Sequence, residues 1–83
     1  MEIRDAELKK IVEFVKGTER ANQIYGRVVK DLFRQQYKED QVEAINNNYL
    51  DDMTNEKHIQ ERNDMKEYRK LCKQCAKELL GIE

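Results

Sequence analysis

The stretch MKEYRKLCKQCAKELLGI, residues 65–82, decides the fold. Met65, Tyr68, Cys72, Cys75, Leu79 and Ile82 recur in it at spacings of 3-4-3-4-3, the narrow apolar seam of a coiled-coil-like helix. Gly81 stands where a left-handed residue closes such a helix. Carried backwards, the same register puts His58 and Glu61 on the seam, so the apolar contact is expected to fade towards the helix start. The spacing predicts a last helix over about 55–80, the longest in the chain, capped by Thr54 or Asn55.

Working outward, Ala21, Ile24, Tyr25, Val28, Val29, Leu32 and Phe33 form a broad stripe that predicts a helix over about 19–37. A stripe this wide touches two neighbours. Gly26 lies inside that helix, where glycine costs about 1 kcal/mol against alanine. Close approach of another helix is the expected reason for it. Before Gly17, Leu8, Ile11, Val12 and Val15 predict a helix over 6–16 with Asp5 as its N-cap. Gly17 is the expected left-handed stop, and Thr18 the expected cap of the next helix. Val42, Ile45 and Tyr49 predict a short helix over 40–50, weakened by Asn46, Asn47 and Asn48 and followed by a loop at 51–54. Three glycines and no proline leave little to interrupt helices. The fold expected is all-α: a compact bundle of three to four helices with a long C-terminal helix, residues 1–83 forming one domain.

At 83 residues the chain has room for one domain, and its charged share (40%) matches its hydrophobic share (39%). So lean an apolar supply favours self-association or a partner that adds burial. The long seam strengthens that expectation, because it exceeds what the shorter helices cover. A net charge of −1 gives no global attraction to nucleic acid or membrane. The distribution says more. Residues 1–38 hold nine basic and six acidic side chains, residues 39–56 hold six acidic and no basic ones, and residues 57–80 hold seven basic and four acidic.

No apolar run approaches the roughly 20 residues of a membrane span, and the charged first helix does not resemble a signal peptide. A reducing, cytoplasmic setting is expected. Abundant Asn, Lys, Ile, Glu and Tyr with no Pro or Trp is a bias common in AT-rich genomes, including those of phages.

Cys72 and Cys75 form a C-x-x-C, but they lie near a helix C-terminus, where no dipole lowers a thiol pKa. His58, the one histidine, is fourteen residues away, about 21 Å along a helix. The cysteines are expected as small core hydrophobes, and His58 as an exposed side chain on a polar turn. Asp51, Asp52, Asn55 and Glu56 lack the glycine and the alternating spacing of a calcium loop and read as a solvated helix start. No cofactor is expected, and no catalytic constellation is found.

Two basic stripes remain: Arg20, Arg27, Lys30, Arg34 and Lys38 on the second helix, and Lys66, Lys70, Lys73 and Lys77 on the last. Both are interleaved with acids and read first as solvated faces. The leading functional expectation is a non-enzymatic protein-interaction module, a regulator or inhibitor of a larger assembly, that also self-associates. Its expected contact residues are Tyr37, Tyr49, Leu50 and Met53 beside the acids Asp51 and Asp52. The alternative is a helix-turn-helix-like DNA-binding regulator, with residues 28–33 as first helix and 40–48 as recognition helix. It would use Arg27, Lys30 and Arg34 against phosphates and Gln41, Asn46 and Asn47 against base edges. Asp40 and Glu43 give that recognition helix the wrong sign.

Overall fold

A computed structural model describes residues 1–82 of the chain. It is all-α, with four helices in the order α1 (Ala6–Val15), α2 (Arg20–Arg34), α3 (Glu39–Asp51) and α4 (Glu56–Leu80).

Local chemistry sets most of the boundaries. The Asp5 carboxylate accepts the amides of Glu7 (3.0 Å) and Leu8 (3.2 Å), filling two of the donors that a helix start leaves open. Asn55 does the same for α4, accepting from Lys57 (2.9 Å) and His58 (3.3 Å). Gly17 and Gly81 both adopt left-handed φ, 76° and 67°. At Gly81 the Ile82 amide returns to the Lys77 carbonyl at 2.9 Å and the Gly81 amide to Glu78 at 3.3 Å, a Schellman closure. The Gly17 amide then donates to the Leu80 carbonyl at 2.9 Å, so one helix stop locks onto the other.

Thr18 behaves otherwise than expected. Its hydroxyl donates back to the Val15 carbonyl at 2.7 Å, and α2 begins without a side-chain cap. The regular part of α2 also stops at Arg34, short of Tyr37, through turns in which Gln35 and Gln36 donate to Leu32 and Phe33. Conversely α3 runs through all three asparagines to Asp51, because packing on α4 outweighs their weak helix preference.

α2 and α4 run antiparallel and carry the main contact of the fold, with α1 against both. Their core is Leu8, Val12, Val15, Ala21, Val28, Leu32, Phe33, Met65, Cys72, Ala76 and Leu80. An extended strap, residues 1–5, closes it. Ile3 is buried, the Arg4 amide donates to Asp31 at 3.1 Å, and Gln35 donates to the Glu2 carbonyl at 2.6 Å. The Met1 thioether lies 4.0 Å from the Cys72 sulfur. α3 folds back along the first half of α4 and buries no residue fully. The molecule is therefore elongated, 46 × 24 × 19 Å, with the α3–α4 hairpin projecting from a three-helix body.

Two further sequence expectations need correction. The buried line of α4 is Met65, Cys72, Ala76 and Leu80, while Tyr68, Cys75, Leu79 and Ile82 are half-buried. Two neighbouring helices require a wide stripe of period 3.6, and a straight helix drifts off a 3.5-residue seam by about 20° per heptad. That line is also covered by α1, α2 and the strap, so the seam no longer argues for self-association. Finally, nothing lies within 4 Å of a Cβ built on Gly26, which faces solvent rather than another helix. Gly26→Ala should accordingly stabilise the protein by about 1 kcal/mol, read as a higher urea midpoint at unchanged slope. Destabilisation would restore the close-approach reading.

Candidate functional site

The expected contact residues separate into two places. Leu50 (62% exposed) and Met53 (55% exposed) sit at the far end of the hairpin with Asp51, Asp52 and Glu56, all exposed. Asp52 shapes this tip: its carboxylate accepts the Thr54 hydroxyl at 2.7 Å and the Thr54 amide at 3.1 Å. Those hydrogen bonds, the one from the Thr54 hydroxyl above all, hold its pKa below the usual carboxylate value. Tyr49 is half-buried just behind, with the Arg62 guanidinium 4.2 Å over its ring. The turn from α3 to α4 thus gathers two apolar side chains and three carboxylates with no basic residue between 39 and 56.

Tyr37 is not part of this group. It precedes α3, so the length of that helix, about 20 Å at 1.5 Å per residue, separates it from the tip. There it stacks on Phe33 (centroids 5.3 Å apart, planes 16° apart), and Tyr68 leans on both rings at 6.0 and 5.6 Å. The Tyr68 hydroxyl donates to the Leu32 carbonyl at 3.3 Å, and burial raises its pKa. Tyr37 is thus a packing residue that ties α2 to α4.

The residues assigned to the DNA alternative are also dispersed. Arg27, Lys30 and Arg34 share the outer face of α2 with Asp5 and Asp31 nearby, and Arg34 is ion-paired with Glu39. Gln41 has its carbonyl oxygen occupied by the Lys38 amide at 2.9 Å, capping α3. Asn46 is half-buried, and Asn47 alone of the three expected base-readers is exposed with no side-chain hydrogen bond among the described residues.

Cys72 is buried and Cys75 half-buried, and both are free thiols. Burial, above all, pushes the Cys72 thiol pKa up, which makes it a poor nucleophile. His58 departs from expectation: it is half-buried, with an inaccessible Nδ1 that has no hydrogen-bond partner. Packing of α3 over the first turns of α4 places it there, which the polar local sequence did not signal. Also missed was Phe14, 90% exposed. At about 100° per residue it falls to the side of the stripe of Leu8, Val12 and Val15, next to the half-buried Ile11, so its exposure was only weakly readable.

The fold and these surfaces define an α-helical domain that presents an acidic, apolar hairpin tip. Comparison with known protein families, curated proteins and solved structures finds no match to the chain. Among the described residues no helix is long and apolar enough to cross a membrane.

Proposed function

We propose that the chain is a non-enzymatic protein-interaction module that regulates or inhibits a larger assembly by presenting its hairpin tip. One observation carries the reading. Leu50 and Met53 stand more than half exposed at the projecting end of the molecule, framed by Asp51, Asp52 and Glu56. Large apolar side chains at such a point contribute nothing to the core, and Met is enriched in interfaces. The surface selects a partner with an apolar recess rimmed by cations. Two free thiols fit a reducing, cytoplasmic setting.

The DNA alternative has less in its favour. Its base-reading helix opens with Glu39 and Asp40, spends Gln41 on its own cap and half-buries Asn46 against α4. A helix so disposed meets phosphates with like charge.

Copurification from native host cells tests the reading. The wild type should retain a defined protein that the L50E/M53E variant loses at least about tenfold, as expected when central anchors are replaced. Both positions are exposed, so circular dichroism should be unchanged. Retention unaffected by L50E/M53E, or retention of nucleic acid alone, would overturn the proposal.

A further inference from the structure

The second surface of note lies on the other half of α4. Lys70, Lys73 and Lys77 line a shallow groove of about 460 Å³ with Tyr25 of α2, Ile82 and the single acid Glu78. Tyr25 and Ile82 are half-buried and form an apolar floor. Lys70 is shared with Glu67 at 3.4 Å, whereas Lys73 and Lys77 form no ion pair among the described residues. The groove is therefore the complement of the tip: an apolar floor under an excess of cations, against two apolar side chains among carboxylates.

The two surfaces cannot meet within one molecule. Both are built on the same rigid helix, and seventeen residues of it, about 26 Å, separate Glu56 from Lys73. A second copy has no such restriction. We propose that the tip of one copy docks in the α2–α4 groove of another, Leu50 and Met53 on Tyr25 and Ile82, with Asp51, Asp52 and Glu56 against Lys70, Lys73 and Lys77. This deepens the reading of the tip as a contact surface and rests on it, naming the partner as the chain itself. The contact joins different patches of the two copies, so it propagates head to tail or closes as a ring. Its area is small and its rim ionic. Association is accordingly weak and falls with added salt, since exposed charge pairs are screened within a Debye length of about 8–10 Å.

Sedimentation equilibrium from about 10 to about 500 µM, a range that spans weak association, tests this with two charge-reversed variants. In D51K/D52K/E56K the tip is reversed, and in K70E/K73E/K77E the groove. Each alone should raise the Kd for self-association at least about tenfold through like-charge contact. Mixed one to one, they should associate again, because each supplies the surface the other needs. A wild type that stays monomeric across the range, or variants that associate like the wild type, would overturn self-docking. A mixture that remains dissociated while the wild type associates would overturn this pairing of surfaces. In each of these cases a host protein lost with L50E/M53E keeps the broader reading of the tip intact. Loss of self-docking and loss of the tip reading are thus told apart.

Discussion

Phe33→Ala should lower the unfolding free energy by about 3–5 kcal/mol, the range for deleting a buried aromatic ring. Phe33 is 7% exposed and packs against both the Tyr37 and Tyr68 rings, with the Arg69 guanidinium 4.5 Å over it. Its removal leaves a void between α2 and α4 and frees the end of α2 from which α3 departs. For a domain of this length the loss corresponds to a fall in Tm of at least about 12 °C. Thermal and urea unfolding followed by circular dichroism measure it. A loss below about 1 kcal/mol, the size of an exposed substitution, would mean that the ring cluster is not formed.

Leu80→Ala should be nearly as damaging, about 2–5 kcal/mol, while Leu79→Ala next to it should cost about 1 kcal/mol. Leu80 is fully buried and its carbonyl receives the Gly17 amide, whereas Leu79 is half-buried at the edge of the core. The pair discriminates between two registers. A coiled-coil seam through Met65, Cys72 and Leu79 ranks Leu79 above Leu80; the three-helix body ranks them the other way. Comparing urea midpoints of the two variants settles the order, and a larger effect at Leu79 would reject the packing described above.

The candidate site was legible only in part. Its charge was visible at once, because no basic residue occurs between 39 and 56. Leu50 and Met53 could be singled out since they fall at the end of a short helix and in the turn after it. Residue type and a place near a helix end group Tyr37 with them in the sequence, but the structure separates it by the length of α3, packed on the Phe33 and Tyr68 rings. The groove was half legible: the spacing of Lys70, Lys73 and Lys77 puts them on one face, but Tyr25 comes from a helix forty-five residues earlier. No local pattern announces that meeting.

The sequence by itself determined the all-α class, bounded the helices at three to four and placed most of their ends. Those depend on interactions within a few residues: Asp5 and Asn55 reaching amides two and three positions on, and Gly17 and Gly81 adopting a φ that other residues resist. Only the tertiary structure decided which side of α4 is buried, what the strap covers and where the surfaces lie relative to one another. Leu79 and Leu80 are chemically identical and adjacent, so no local preference ranks them. The rank comes from α1 and α2 packing together on α4, and from a wide contact at period 3.6 displacing the narrow seam that the residues alone trace.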